Sequence, residues 1–299
     1  MTWVTAAVTV AAVMAVVSVV DSHLIARRMR SVWTFLLPVG LMHLTFGLVF
    51  LAVHPPVAGA DAAHWSIAVV AAVMRAAAAF LMLYAMRTEE VSRIIPVVYA
   101  HPVFVAVLAV PLLGEALNYL QWLAIFMTVS GAVLISLKGR GREARLRRSF
   151  GMLVASSVLF GAAAVATKYA LESISFWNMY SITAISLGVG FLFLTVSPGV
   201  IRELRALPGR NSTLALIGGN EVLALAGIVL SFWAIENGPV SLVSAVLGIR
   251  PFFVFLWALA LSRVLPAALG ESFTRGTIML KVVSIALIVG GVAMINLLE

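Results

Sequence analysis

One stretch of the chain, residues 85–104, occurs a second time at 234–253, without a gap and 149 positions later. The six residues that are identical in the two copies are, in the first copy, Ala85, Val91, Ser92, Val97, Pro102 and Phe104. Each half of the chain also contains five long apolar segments. If each segment crosses a membrane once, the odd number gives the second half the opposite orientation to the first. The sequence therefore predicts two inverted five-helix repeats, an arrangement that holds a site at the interface between the repeats.

The apolar segments are long enough to cross a membrane. Hydrophobic residues make up 63% of the 299 positions and charged residues 11%, which leaves too little polar surface for a soluble globule. Windows of about 20 apolar residues, the length that spans the hydrocarbon core, predict ten helices at 3–26, 32–53, 65–86, 91–113, 117–137, 150–171, 178–197, 214–235, 240–262 and 277–298. We therefore expect an all-α integral membrane protein with a first repeat at 1–137, a basic linker at 138–149 and a second, inverted repeat at 150–299.

Several classes of function are disfavoured by the residues that the sequence lacks. It has no cysteine, which excludes disulfides and thiolate metal sites. Its five histidines, His23, His43, His54, His64 and His101, do not have metal-ligand spacing, and neither a phosphate-binding loop nor a serine nucleophile elbow is present. The connections between spans are too short for a nucleotide-binding domain. We expect no enzyme activity, no metal and no cofactor, and secondary or facilitated transport remains.

The basic residues are concentrated on one side of the predicted membrane. The formal net charge is +8. The loops that join odd to even spans carry Arg27, Arg28, Arg30, Arg87, Lys138, Arg140, Arg142, Arg145, Arg147, Arg148, Arg202, Arg205, Arg210, Arg263 and Arg275, whereas the opposite face carries only Lys168. Positive charge is enriched in cytoplasmic loops, so we expect an inner-membrane protein with the 138–149 loop in the cytoplasm and both termini outside. This distribution explains the charge without a nucleic-acid partner.

Short motifs recur in both halves. The first half has the stretch from Ala85 to Pro102, then Leu113-Gly114-Glu115 and Gly131-Ala132-Val133-Leu134, and the second half has Gly238-Pro239-Val240-Ser241, Pro251, Leu269-Gly270-Glu271 and Gly290-Gly291-Val292. Over essentially its whole length the chain resembles the ten-helix EamA-type members of the drug/metabolite transporter superfamily. The resemblance implies that spans 1, 3, 4, 6, 8 and 9 line a central cavity. It implies no particular substrate, and it makes Glu115 and Glu271 helix-end residues.

Charged and polar side chains lie at the centres of several spans. A charged residue there costs about 2.5–3.5 kcal/mol on insertion scales, so it is expected to face protein or water. His101 and Arg250 are equivalent in the duplication, and each precedes a proline, Pro102 or Pro251, that breaks the helix and leaves the carbonyl four residues earlier free. The predicted substrate-binding residues are Arg75, Tyr99, His101, Asn220, Glu221 and Arg250. The predicted proton-coupling residues are Glu221, Asp21 and His23.

The expected function is secondary transport of a small polar metabolite by alternating access. Zwitterionic or anionic substrates fit the basic residues and Glu221, and an amino-acid-like molecule is favoured. The expected partners are this substrate and the lipid bilayer, with possible proton coupling, in a monomer or a homodimer. A lipid or lipid-headgroup flippase is an alternative, and a membrane-embedded lipid-modifying enzyme is a weaker one. In a further alternative, Glu221 pairs with Arg75 or Arg250 only to lock the helices together.

Overall fold

The computed structural model describes residues 2–56, 61–87, 91–136, 143–264 and 275–297. Every regular element in these ranges is helical. The helices are α1 Trp3–His23, α2 Val32–Val53, α3 Ala62–Ala85, α4 Val91–Val98, α5 Pro102–Leu113, α6 Tyr119–Ser136, α7 Glu143–Ala170, α8 Phe176–Thr195, α9 Pro198–Arg205, α10 Arg210–Asn237, α11 Val240–Leu247, α12 Arg250–Val264 and α13 Arg275–Leu297. A π-helical segment, Leu24–Arg28, continues α1.

Seven stretches of the described chain are long and apolar enough to cross a membrane. They are Trp3–Arg28, Val32–Val53, Ala62–Ala85, Phe150–Ala170, Phe176–Thr195, Arg210–Asn237 and Val240–Trp257. The all-helical class is therefore confirmed, and the chain is a multi-pass membrane protein.

Two predicted spans, 91–113 and 240–262, are each interrupted in the structure. The first is divided between α4, which ends at Val98, and α5, which begins at Pro102. The second is divided between α11, which ends at Leu247, and α12, which begins at Arg250, one residue before Pro251. Proline lacks an amide hydrogen and is tolerated in the first turn of a helix. Both interruptions therefore fall beside the predicted helix-breaking prolines.

The helices differ from the predicted bounds at two other places. Helix α7 begins at Glu143, inside the predicted 138–149 linker, because the sequence there is rich in strong helix formers. Residues 137–142 and Glu271 lie outside the described residues. Helix α9 was not predicted. It begins at Pro198, where the Ser197 hydroxyl accepts a hydrogen bond from the Val200 amide at 3.4 Å, and it is too short to cross a membrane.

Helices of the first half, up to residue 136, pack extensively on helices of the second half, from residue 143. The most extensive pairs are α2 with α8, α3 with α7, α6 with α13 and α1 with α10. Glycines let α2 and α8 approach closely: a Cβ added to Gly188 would lie 2.6 Å from the Leu44 nitrogen, and one added to Gly47 would lie 2.8 Å from the Ile185 nitrogen. Small residues commonly allow such contacts between membrane helices.

Arg87 holds the connection between α1 and α2. Its guanidinium donates hydrogen bonds to the carbonyls of Ile25 and Met29, both at 3.0 Å, and of Arg30 at 2.6 Å. The bond to Ile25 satisfies a carbonyl at the end of the π-helical segment, where helix ends leave carbonyls without intrahelical partners. The Arg87 bonds tie the turn after α1 to the turn after α3.

Glu203 on α9 joins this end of the molecule. Its carboxylate accepts hydrogen bonds from the hydroxyls of Thr34 at 2.7 Å and Ser31 at 3.1 Å. These bonds, followed by the charge of Arg30, lower the pKa of Glu203 below its ordinary value. The contacts hold α9 against the start of α2.

Lys168 holds the turn between α10 and α11, at the end of the molecule opposite to Arg87 and Glu203. Lys168 donates to the carbonyls of Ile235, Glu236 and Gly238 at 2.9, 3.0 and 3.0 Å.

Glu115, in the connection after α5, accepts from the Val240 amide at 2.6 Å, from the Ser241 amide at 3.2 Å and from the Ser241 hydroxyl. Glu115 is expected to be a helix-end residue, and the structure adds that its carboxylate also reaches the start of a helix in the other half. Its carboxylate caps the first turn of α11 in the other half.

Candidate functional site

A cavity of about 160 Å³ lies among helices of both halves. Its polar lining consists of Asp21, His43, Arg75, Tyr99, His101, Glu221, Ser231, Ser244 and Arg250. The remaining walls are apolar, for example Met14, Phe35 and Phe191. A cavity of about 150 Å³ accommodates benzene. The site therefore has room for a small metabolite.

Arg250, at the start of α12, is the most fully bonded cation in the cavity. It is 3% exposed, and its guanidinium donates to the hydroxyls of Tyr99 and Ser18. The guanidinium carbon also lies 4.6 Å from the centre of the Tyr99 ring. Its Nε is buried without a hydrogen-bond partner. Residues of the first half thus fix a cation of the second half and leave its Nε donor unused.

Arg75 on α3 is held by an aromatic ring. Its guanidinium carbon lies 5.0 Å from the centre of the Phe232 ring on α10, and its Nε is buried without a partner. Within the described ranges, neither Arg75 nor Arg250 forms a salt bridge with a carboxylate, and Asp21 interacts electrostatically with Arg250. The alternative in which Glu221 pairs with one of these arginines is not the arrangement in this structure.

Glu221 instead meets His43, which was not among the predicted site residues. The His43 Nε2 lies 3.1 Å from Glu221 Oε2, and the two side chains are 7% and 6% exposed. The other ring nitrogen, Nδ1, is buried without a partner. A signal was present in the sequence, because His43 is a titratable residue near the middle of the predicted second span. The contact joins α2 to α10.

Asp21 and Asn220 form a second polar contact between the halves. The Asn220 side-chain amide donates to Asp21 Oδ1 at 2.7 Å. Asp21 lines the cavity, whereas Asn220 and His23 are not among the lining residues. Asn220 therefore positions an acid of the site, and His23 lies in the last turn of α1.

His101 contacts the carbonyl that was predicted to be free. Its Nδ1 lies 3.2 Å from the Val98 oxygen, which also accepts from the His101 amide at 3.4 Å. A carbonyl can only accept, so Nδ1 carries the hydrogen. A neutral His101 then offers an acceptor at Nε2 rather than a donor for an anion.

Five of the six predicted substrate-binding residues thus line one cavity, and the sixth contacts it through Asp21. All six spans that the resemblance implies contribute lining residues. Two further helices, α2 and α8, also line the cavity. Within the ranges that the structure describes, no three His, Asp or Glu side chains cluster as metal ligands would. The site is therefore suited to binding an ion or polar molecule through side-chain charges and hydrogen bonds.

Comparisons with known proteins agree with this arrangement. A solved structure described simply as the crystal structure of a protein superposes with a TM-score of 0.67 at 16% identity, over 99% of this chain and 96% of its own. That likeness concerns the fold alone. No curated protein matches significantly in sequence. The family model of the EamA-like transporter family matches residues 1–137. This match places the chain in the drug/metabolite transporter superfamily, among the EamA-like transporters.

Proposed function

We propose that the protein is a secondary transporter that moves a small polar metabolite across the cytoplasmic membrane by alternating access. The observation that carries the proposal is the pair of arginines, Arg75 and Arg250, which line the cavity and form no salt bridge with a carboxylate among the described residues. Charged groups in a low-dielectric site are stable only when they are paired or hydrated. A negatively charged group of the substrate would supply the partner.

The proposed substrate carries both signs of charge. A carboxylate can accept two parallel hydrogen bonds from a guanidinium, and Glu221 or Asp21 can accept from an ammonium group. An amino-acid-like zwitterion can contact both the arginines and the acidic residues that line the cavity, and an anionic metabolite can contact the arginines alone. The volume of about 160 Å³ favours a molecule of this size over a lipid.

The proposed architecture is two inverted repeats at 1–137 and 150–299, joined by the basic 138–149 linker. The helix contacts support it. If α1, α2, α3 and α6 correspond to α7, α8, α10 and α13, an exchange of the two halves maps the α1–α10 contact onto the α3–α7 contact. It maps the α2–α8 and α6–α13 contacts onto themselves. Sites at such an interface alternate between the two sides of the membrane when the repeats exchange conformations.

The proposed orientation can be tested with single cysteines, because the chain has no native cysteine. Ala62 and Ala206 are both exposed and lie at opposite ends of the helices. The proposal puts both termini outside the cell, so Ala62→Cys is expected to react with an impermeant maleimide in intact cells. Ala206→Cys is expected to react only after lysis. The reverse labelling pattern would contradict the charge-based orientation.

The substrate class is tested by ligand-induced stabilisation of the purified protein. The ligands are the twenty standard amino acids, their decarboxylated amines and their deaminated acids. A ligand at about 100 times its Kd adds about 2.7 kcal/mol, which raises the Tm on the order of 5 °C. We expect this shift for at least one amino acid or acid, and uptake of the same compound into proteoliposomes. If only the amines stabilised the protein, the anion-binding role of the arginines would be wrong.

A further inference from the structure

The His43–Glu221 contact has the features of a proton-binding site. The two side chains belong to different halves, both line the cavity, and both are nearly inaccessible to solvent. Among the described residues, Glu221 forms its salt bridge with His43, whose Nε2 lies 3.1 Å from Glu221 Oε2. The unpartnered Nδ1 means that no second hydrogen bond fixes the imidazole ring. The ring is therefore free to leave Glu221 without breaking another polar contact.

This pair holds one proton in either of its favourable forms. An imidazolium beside a carboxylate and a neutral imidazole beside a carboxylic acid contain the same number of protons. Removal of that proton leaves the buried Glu221 carboxylate without a cation in direct contact, which is costly in a buried site. The proton is thus the counterion of Glu221 as long as no other cation reaches it.

Other charged or titratable groups face the same cavity. They are Asp21 from α1, Arg75 from α3, Tyr99 and His101 from the break between α4 and α5, and Arg250 from α12. Tyr180 of α8 is buried nearby and interacts electrostatically with Glu221. Asp21 interacts electrostatically with both Glu221 and Arg250.

We propose that His43 and Glu221 hold one shared proton in the empty cavity, and that an ammonium group of the substrate replaces this proton at Glu221. The inference rests on the proposed function. When the ammonium group arrives, it donates to the Glu221 carboxylate in place of His43. The proton leaves with the imidazole as the temporary carrier and passes to water on the open side. Neutral His43 and an ammonium–carboxylate pair remain, so transport exchanges a proton for an amine.

The shared proton of the His43–Glu221 pair is tested first, in the protein without substrate. The full chain is labelled with ¹⁵N-histidine and followed by nuclear magnetic resonance while it is titrated with acid and base. We expect the His43 side-chain nitrogens to report a proton shared with an acid, and Glu221→Gln to abolish that signature. His64→Gln is the control, because His64 lies 4.0 Å from Asp61 and is not a lining residue of the cavity. A His43 titration that is the same in wild type and Glu221→Gln would overturn the proposal.

The exchange is tested with the twenty amino acids as probes, added to purified protein in weakly buffered detergent solution with a pH-sensitive dye. Wild type is expected to release close to one proton for each amino acid bound, and Glu221→Gln none. Binding to wild type without proton release would overturn the exchange, and this result needs no variant to fold. If no amino acid binds, the proposed substrate class is wrong, and the titration of the empty pair still decides whether it holds the proton.

Discussion

Replacement of Arg250 by lysine is expected to weaken binding of the acidic substrate by about tenfold to a hundredfold. Arg250 is held by the Tyr99 and Ser18 hydroxyls and lies over the Tyr99 ring. Lysine keeps the charge but lacks the planar fork that binds a carboxylate through two hydrogen bonds. A hydrogen bond to a charged group contributes about 1.5–3 kcal/mol, and each tenfold in affinity corresponds to about 1.4 kcal/mol. The loss of one such bond gives the expected range.

The affinity is measured by titration calorimetry on the purified variants. Arg202→Lys is the matched control, because Arg202 is exposed on α9, outside the predicted spans. It is expected to bind like the wild type. An unchanged affinity in Arg250→Lys would mean that Arg250 serves helix packing through Tyr99 and Ser18 and does not recognise the substrate.

Replacement of Glu115 by alanine is expected to open the cavity towards the face that carries the α10–α11 turn. Glu115 is the acceptor for two amides and one hydroxyl at the start of α11, across the two halves. Alternating access requires that such a contact break when that face opens. Loss of about 2 kcal/mol from the closed state, near the value of one charged hydrogen bond, changes the populations on the order of thirtyfold.

The opening is measured as the labelling rate of a cysteine placed at Ser231, which lines the cavity. With Glu115→Ala we expect the cysteine to react at least about tenfold faster with an impermeant maleimide. This increase is smaller than the change of about thirtyfold expected in the ratio of open to closed states. Glu172→Ala is the control, because Glu172 is an exposed acid near the same end of the helices. Equal rates in wild type and Glu115→Ala would contradict the role of Glu115 as a contact that closes this face.

The membrane-spanning class and much of the site could be predicted from the sequence for one physical reason. Apolar windows of about 20 residues have few alternatives to crossing a bilayer, and a charge at the centre of such a window avoids lipid. Arg75, Glu221 and Arg250 therefore had to face the protein interior or water, and all three line one cavity. The two prolines gave the positions where α5 and α12 begin to within one residue.

The pairing of the polar groups could not be predicted, because it depends on the rotation and depth of each helix. A helix that is apolar on nearly all sides does not show which face meets its neighbours. From the sequence alone, His43 is only a histidine without metal-ligand spacing, whereas in the structure it contacts Glu221. The same limitation applies to Glu115, since the motif marks a helix end but not the turn of another half that its carboxylate reaches. The Val98 carbonyl, predicted to be free, accepts a hydrogen bond from the His101 side chain.

The central claim is that the cavity recognises the negative group of a small polar substrate. The most direct test compares each amino acid with its α-amide, which keeps the ammonium group and the size but removes the negative charge. We expect wild type to bind the best acid at least about tenfold more tightly than its amide, the equivalent of about 1.4 kcal/mol, and Arg250→Lys to lose most of this preference. Equal affinities of wild type for acid and amide would contradict the claim, and the two arginines would then be explained by helix packing alone.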